Sequence, residues 1–232
     1  MMRYSRISNK NPREIVLLKS RPCKWGRCLF CDYIDDNCND IDYINEFNND
    51  VLKNVTGKLK QLEVINSASV FELPMGTLEI IRDIAHDKDI ERLFFESHYK
   101  YRHRLKEITE YFKGINIIFK CGIETFDDKF RNEYLKKGIY FKDYGDIARF
   151  FKSICLMVGI KGQTKEMISR DIDIMKEYFE YGCINIFTEN STPVKRDEEL
   201  ISWFKENYSE LDKLDNIEIL WNNTDFGVGG TA

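Results

Sequence analysis

The sequence lacks any stretch of apolar residues long enough to cross a membrane. No run of 18 apolar residues occurs in its 232 residues. The N-terminus, Met-Met-Arg-Tyr-Ser-Arg-Ile, also lacks the apolar segment of a secretory signal peptide. The sequence therefore predicts a soluble protein of the cytoplasm that has no contact with a membrane.

An excess of positive charge is absent as well. The chain has 35 Lys and Arg against 39 Asp and Glu, a net charge of −4, whereas proteins that bind nucleic acid usually present a basic surface. One basic stretch contains Lys100, Arg102, His103, Arg104 and Lys106. We predict that it is a solvated helix face, with a phosphate contact as the alternative. The charge balance makes nucleic acid an unlikely partner and favours a small-molecule substrate.

Disulfide pairing is not expected. The seven cysteines are an odd number in a chain without a secretion signal, so metal binding or core packing is the better explanation for them. Hydrophobic residues make up 43% of the chain, which excludes general disorder. The length fits one domain over residues 1–232.

Apolar runs that alternate with amphipathic segments predict repeated βα units and a parallel sheet. One predicted helix is capped by Thr164, a second begins near Asp197, and a third spans about residues 41–55. Seven strands are slightly too few for a full eight-stranded barrel. We therefore predict an α/β fold of the incomplete (β/α) TIM type, with its active site at the C-terminal ends of the strands. The predicted strands are residues 14–19, 62–66, 92–96, 116–121, 154–159, 183–188 and 217–221.

Three cysteines follow the first of these strands with the spacing Cys23-x4-Cys28-x2-Cys31. Iron–sulfur clusters are held by thiolates, and three ligands on a four-iron cubane leave one iron open for catalysis. The nearby Lys24 and Arg27 favour the thiolate form. Two alternatives remain, a zinc site that recruits Cys38 as a fourth ligand and a cluster of buried cysteines without a metal.

This loop resembles that of the radical S-adenosylmethionine (SAM) superfamily, with one residue more than its commonest spacing, Cys-x3-Cys-x2-Cys. The resemblance implies a 4Fe–4S cluster on Cys23, Cys28 and Cys31, SAM as cofactor, and Phe30 near the adenine. It also implies an electron donor such as flavodoxin or ferredoxin. Stacking on the adenine or on a substrate base is a further possibility for Trp25 or Tyr33.

Later segments resemble motifs of the same superfamily, in the same order. Asn66-Ser-Ala-Ser resembles the turn that binds the methionyl amino group, which implies that role for Ser67 and Ser69. Phe-Glu96-Ser-His resembles the end of the third strand, although His98 replaces an arginine. The implied contacts of Glu96 and Glu124 are the ribose or amine of SAM, and that of Lys137 is its carboxylate. Without the resemblance, the two glutamates are ordinary strand-end carboxylates, and Lys137 complements a helix C-terminus.

The small size, the barrel without an added domain and the ending Trp221-Asn-Asn-Thr-Asp-Phe-Gly-Val-Gly resemble the queuine lyase family. That resemblance implies cleavage of queuine to 7-aminomethyl-7-deazaguanine. A carboxylate and amides suit such a base, so we predict that substrate contacts come from Glu189, Asn190, Asn222 and Asp225, with loop or capping roles as the alternative. Two other functions remain open, a radical SAM enzyme that modifies RNA or another metabolite, and a structural zinc-binding interaction module.

Overall fold

The computed structural model describes residues 3–222, and within them the chain forms eight strands and six α-helices. The strands are β1 (Tyr4–Ile7), β2 (Arg13–Leu18), β3 (Gln61–Asn66), β4 (Arg92–Glu96), β5 (Asn116–Glu124), β6 (Ser153–Val158), β7 (Tyr181–Ile186) and β8 (Ile217–Leu220). The helices are α1 (Ile41–Leu52), α2 (Met75–Asp87), α3 (Leu105–Tyr111), α4 (Tyr144–Ala148), α5 (Lys165–Tyr178) and α6 (Glu198–Tyr208). Strands and helices alternate from β2 to β8, as the sequence predicts.

The strands form one sheet in the order in which they occur along the chain. The pairs β2–β3, β3–β4, β5–β6, β6–β7 and β7–β8 are parallel. All seven predicted strands are present, with bounds that differ from the prediction by no more than three residues. Every residue of β2 is buried, which agrees with a strand covered on both faces.

One strand was not predicted. β1 pairs antiparallel with β2, its partners running from Tyr4 opposite Val16 to Ile7 opposite Arg13. Its four residues, Tyr-Ser-Arg-Ile, are mostly half-buried and do not form an apolar run. A short edge strand of this kind carries little hydrophobic signal because only one of its faces is covered.

The predicted helices begin at the residues that their caps indicate. The Thr164 hydroxyl accepts a hydrogen bond from Met167 N at 3.2 Å at the start of α5, and Asp197 accepts one from Leu200 N at 3.0 Å at the start of α6. α1 starts at Ile41 as predicted and ends at Leu52, three residues early. The basic stretch at 100–106 is not one helix face, because it runs from a 3-10 turn, Tyr99–Tyr101, into the start of α3.

Contacts between Cα atoms divide the chain into two compact units. The first comprises Met1–Gly26 and Tyr33–Phe119, and the second comprises Arg27–Asp32 and Lys120–Ala232. Leu18, Ile44 and Phe95 are fully buried in the first unit, and Phe151 and Phe204 are fully buried in the second. Among the described residues, no helix has both the length and the apolar character that a membrane crossing requires.

Candidate active site

The three cysteines of the loop after β2 are half-buried and reduced. Cys23 belongs to the first unit, and Cys28 and Cys31 belong to the second. Within residues 3–222, no three His, Cys, Asp or Glu side chains converge as ligands of a single metal ion. A cubane cluster does not need such convergence, because each thiolate binds a different iron. The role of the three cysteines as cluster ligands therefore remains a prediction. Their thiol groups are the ligand type that such a cluster requires.

The backbone around Cys23 places a hydrogen-bond donor against its sulfur. Gly26 N donates a hydrogen bond to the Cys23 Sγ at 3.4 Å. Gly26 reaches this position with φ +55°, and a Cβ on it would lie 3.0 Å from the Cys23 carbonyl oxygen. Only glycine adopts this conformation at little cost. The glycine of the loop thus directs an N–H group at one of the predicted cluster ligands.

An asparagine that was not predicted connects Cys23 to the end of β3. With its amide oxygen towards the Cys23 N–H, Asn37 accepts that hydrogen bond at 3.2 Å and donates to the Ser67 Oγ at 2.8 Å. The Ser67 Oγ also lies 3.0 Å from the Ser20 Oγ. Asn37 lies in the polar run Asp-Asp-Asn-Cys, where nothing in the sequence distinguishes it from a solvent-exposed residue.

The turn after β3 contains Ser67 and Ser69, both buried. The Ser69 Oγ accepts a hydrogen bond from His98 N at 2.9 Å, and Ser69 N donates one to Glu72 at 3.0 Å. Asn66 Nδ2 donates to the Ser69 carbonyl at 3.1 Å, whereas the buried Asn66 Oδ1 has no hydrogen-bond partner among the described residues. The Asn66 Oδ1 could accept a hydrogen bond from the ammonium group of SAM, which the resemblance predicts at this turn.

Glu96 is the last residue of β4 and is half-buried. His98, two residues on, stacks on Trp25 of the cysteine loop, with ring centroids 5.5 Å apart and an interplanar angle of 19°. The histidine that replaces the expected arginine is therefore packed against the loop by an aromatic contact. The predicted cofactor role of Glu96 is compatible with its position at a strand end.

In the second unit, Glu124 ends β5 beside Lys137. Lys137 Nζ lies 2.7 Å from Glu124 Oε1, and both side chains are nearly buried. Burial alone lowers the pKa of Lys137, but the charges of Glu124 and Cys28 outweigh it, so the pKa lies above its usual range. Two of the residues predicted to contact SAM thus form an ion pair close to one of the predicted cluster ligands.

The backbone near this pair has two unusual features. Glu124 has φ +66°, which is uncommon outside glycine, and the pairing of β5 with β6 shifts between Gly122 and Glu124. A Cβ on Gly122 would lie 2.7 Å from Glu124 Oε1 and 3.2 Å from Lys137 Nζ. The ion pair therefore occupies the space in which a side chain at position 122 would lie.

A buried arginine that the sequence did not reveal holds the two segments that carry this pair. Arg131 Nη1 donates to the Thr125 carbonyl at 3.1 Å, and its Nε donates to the Ile139 carbonyl at 3.0 Å. Lys137 N donates to the Arg131 carbonyl at 3.0 Å. Arg131 occurs among charged residues at 127–133, a context typical of an exposed helix. Its role therefore depends on tertiary contacts.

Phe30 is buried in the second unit, in an apolar cluster with Phe130, Leu135, Ile160, Phe187 and Val194. Its ring centroid lies 5.3 Å from Lys137 Nζ. The Phe30 carbonyl accepts a hydrogen bond from Asn190 Nδ2 at 2.9 Å, and Leu29 N donates to the Leu135 carbonyl at 2.9 Å. These contacts fix the loop segment that carries Cys28 and Cys31.

The predicted substrate residues and Tyr33 lie in different surroundings. Glu189 is exposed and accepts a hydrogen bond from Arg196 N at 3.1 Å. Asn190 uses both amide atoms within the protein, because its Oδ1 accepts from Thr192 N at 3.0 Å and from Thr192 Oγ1 at 2.6 Å. Asn222 and Tyr33 are exposed, and Asp225 lies outside the described residues.

Known proteins that are similar to the chain include a queuine lyase and a subunit of archaeosine synthase. A solved structure of queuine lyase from Clostridium spiroforme bound to SAM and queuine is 54% identical, with a TM-score of 0.95 over 99% of this chain and 100% of that one. Archaeosine synthase subunit beta from Methanosarcina acetivorans is 23% identical over 194 residues. That match covers 74% of this chain but only 56% of the longer relative. No family model matches the chain.

The fold and the motifs define the class of this protein. It is a radical SAM enzyme with an α/β fold of the incomplete (β/α) TIM type. Identity of 54% over the whole of a solved homologue also defines its family. The chain belongs to the queuine lyase family.

Proposed function

We propose that this enzyme uses SAM and a 4Fe–4S cluster to cleave queuine to 7-aminomethyl-7-deazaguanine. The observation that carries the proposal is the 54% identity, over the full length of both chains, to queuine lyase bound to SAM and queuine. When bound, the cluster and SAM would supply one-electron chemistry that takes a hydrogen atom from queuine and releases methionine and 5′-deoxyadenosine. The electron comes from a donor such as flavodoxin or ferredoxin.

Cys23, Cys28 and Cys31 hold the cluster in this proposal. The Gly26 N–H donates a hydrogen bond to the Cys23 sulfur, and the Lys137 ammonium lies near Cys28. Phe30 contributes an apolar surface beside Lys137. The predicted cluster ligands Cys23 and Cys28 thereby lie beside an N–H group and a cationic group.

SAM is bound by the polar groups at the strand ends. The buried Asn66 Oδ1 and the turn with Ser67 and Ser69 offer acceptors for its ammonium group. Glu96 and Glu124 contact its ribose or amine. The Lys137 ammonium binds its carboxylate by a charge-assisted hydrogen bond.

The deazaguanine base is bound by Glu189, Asn222 and Asp225. A carboxylate of Glu189 or Asp225 accepts hydrogen bonds from the N–H pair of the base, and the Asn222 amide donates one to its carbonyl. Tyr33 stacks on the base or on adenine. Asn190 contributes indirectly by holding the Phe30 carbonyl, since both of its amide atoms are already bonded. We further propose that residues 1–232 act as one domain and that the enzyme works in the cytoplasm.

Anaerobic reconstitution of paired cysteine variants tests the cluster assignment. We expect about four irons per chain in the wild type and in Cys38→Ala, and loss of most iron in Cys31→Ala. Cys38 is the matched control because it is also a half-buried cysteine after β2. With dithionite, SAM and queuine, 5′-deoxyadenosine should form in the wild type and in Cys38→Ala only. Recovery of one zinc and no 5′-deoxyadenosine would contradict the proposal.

A further inference from the structure

The exposed Lys100 contacts the stacked rings of Trp25, in the cysteine loop, and His98. Trp25 stacks on His98. It lies two residues after Cys23, so the Cα atoms of Cys23 and Trp25 are at most about 7–8 Å apart. Lys100 Nζ lies 5.8 Å from the Trp25 ring centroid, and Lys100 N donates to His98 Nδ1 at 3.2 Å. Lys24, between Cys23 and Trp25, is exposed as well. Positive charge is therefore concentrated beside the loop.

The same surface continues through two further rings. Lys100 Nζ lies 5.8 Å from the Tyr101 ring centroid, and the Arg104 guanidinium lies 5.8 Å from it. Arg104 also lies 4.6 Å from the Phe71 ring centroid, and Arg21 Nη2 donates to the Phe71 carbonyl at 3.2 Å. We call the exposed residues Arg21, Lys24, Lys100 and Arg104 the cationic patch. All four belong to the first unit.

Most of this charge is not neutralised by the protein. Arg104 pairs with Glu107 at 2.7 Å. Within residues 3–222, Arg21, Lys24 and Lys100 form no ion pair with a carboxylate, and the nearby Glu72 is buried and bonded by the Tyr101 hydroxyl. The patch is thus cationic in a chain whose net charge is −4.

We propose that the cationic patch binds an acidic one-electron carrier protein, which reduces the cluster from this side. The inference rests on the proposed function, because only a cluster on the cysteine loop requires an electron from outside. The carrier's reduced flavin or iron–sulfur centre loses one electron and the cluster gains it, with no bond made or broken at the patch. Complementary charge accelerates encounter and orients the partner.

The position of the patch favours a carrier over RNA as its partner. Electron transfer requires closeness to the cluster, and the aromatic contact of Lys100 with Trp25 places the patch against the loop that contains Cys23. A free-base substrate requires no RNA contact. The net charge of −4 also opposes a long polyanion.

Steady-state assays with two reductants test the proposal, with reduced flavodoxin as the protein carrier and dithionite as the chemical one. Lys100→Glu and the double variant Lys100→Glu/Arg104→Glu should raise the KM for flavodoxin at least about tenfold. Their dithionite-driven turnover of queuine should equal that of the wild type. Lys100→Arg should retain the wild-type KM, as should Lys58→Glu, which reverses an exposed lysine before β3. Raised salt should weaken the wild-type interaction.

The two reductants separate this inference from the proposed function. Lack of queuine cleavage by the wild type with dithionite would overturn the function itself. Normal dithionite turnover combined with an unchanged flavodoxin KM in both reversal variants would overturn the docking surface alone. Loss of tRNA binding in those variants, with the flavodoxin KM unchanged, would also overturn it and assign the patch to RNA.

Discussion

Lys137 Nζ and Glu124 Oε1 lie 2.7 Å apart, with 12% and 6% of their side chains exposed. A buried ion pair of this kind is costly to break, because the remaining charge is left without its partner. The pair joins two residues that are both predicted to contact SAM. It therefore connects the stability of the second unit to the predicted binding of SAM.

Replacement of one member of this pair should destabilise the apoprotein. We expect Glu124→Gln to lower the free energy of unfolding by about 3 kcal/mol, because the Lys137 ammonium would stay buried without a carboxylate. The double variant Glu124→Gln/Lys137→Met should recover much of this loss. Urea unfolding of the cluster-free proteins measures both effects. Equal stability of the two variants would show that the pair carries no such energy.

Alanine at position 122 should disturb the same pair without changing a charge. Its Cβ would meet Glu124 Oε1 at 2.7 Å, so the carboxylate must move. We expect a KM for SAM raised at least about tenfold. Gly145→Ala is the matched control, because its Cβ would meet Asp143 Oδ1 at 3.1 Å, in an exposed helix start where that carboxylate can move. Similar kinetics for the two variants would contradict the prediction.

Asp171 should make the stability of the apoprotein depend on pH. This carboxyl group is buried beneath the end of β5 and accepts a hydrogen bond from Phe126 N at 2.8 Å. Burial raises its pKa to about 6, despite the opposing hydrogen bonds from Thr125 and Phe126. The folded state therefore keeps the proton that the unfolded state loses. The resulting stabilisation is present below about pH 4 and is lost as the pH rises through 6.

Asp171→Asn should remove this dependence. We take the difference in free energy of unfolding, variant minus wild type. This difference should increase by about 2–3 kcal/mol from pH 4 to pH 7, because only the wild type loses the stabilisation from the Asp171 proton. Urea titrations at several pH values measure the difference. A constant difference across that range would show that Asp171 does not hold a proton in the folded state.

Asn190 should control access to the cysteines of the second unit. Asn190→Ala removes the hydrogen bond to the Phe30 carbonyl, worth about 1 kcal/mol. We expect alkylation of Cys28 and Cys31 in the cluster-free protein to become about fivefold faster. Cys23 is the internal control, because its contacts with Asn37 and Gly26 are unchanged.

A surface asparagine provides the matched variant for this experiment. Asn216 Nδ2 also donates to a backbone carbonyl, that of Glu180, at 2.8 Å, but outside the cysteine loop. Asn216→Ala should leave the alkylation rates of all three cysteines unchanged. If alkylation of Cys23 in Asn190→Ala became faster by the same factor as that of Cys28 and Cys31, the substitution would have unfolded the protein generally. The loop segment would then not have been loosened locally.

Much of the fold could be predicted from the sequence, because buried parallel strands require apolar runs. β4 was predicted with its observed bounds, Arg92–Glu96, and the caps Thr164 and Asp197 located two helix starts. β1 was missed because an edge strand needs only one covered face. The predicted end of β5 was three residues short because Gly122 and Glu124 interrupt the apolar run, at the point where the pairing with β6 shifts.

Candidate site residues can be proposed from the sequence where the chemistry follows from spacing, and not where a role follows from tertiary contacts. Cys23, Cys28 and Cys31 stand out in the sequence because closely spaced cysteines in one loop are typical of iron–sulfur ligands. Asn37, Arg131 and the anchoring role of Asn190 depend on which backbone groups lie opposite them in the folded chain. A polar side chain has the same appearance in a sequence whether it faces solvent or a buried carbonyl.

Cleavage of queuine by radical SAM chemistry is the activity proposed for this enzyme. Its most direct test is mass spectrometry of the reduced, reconstituted enzyme incubated with SAM and queuine. We expect 7-aminomethyl-7-deazaguanine to accumulate together with 5′-deoxyadenosine, and neither product to form without reductant. Formation of 5′-deoxyadenosine while queuine stays intact would contradict it.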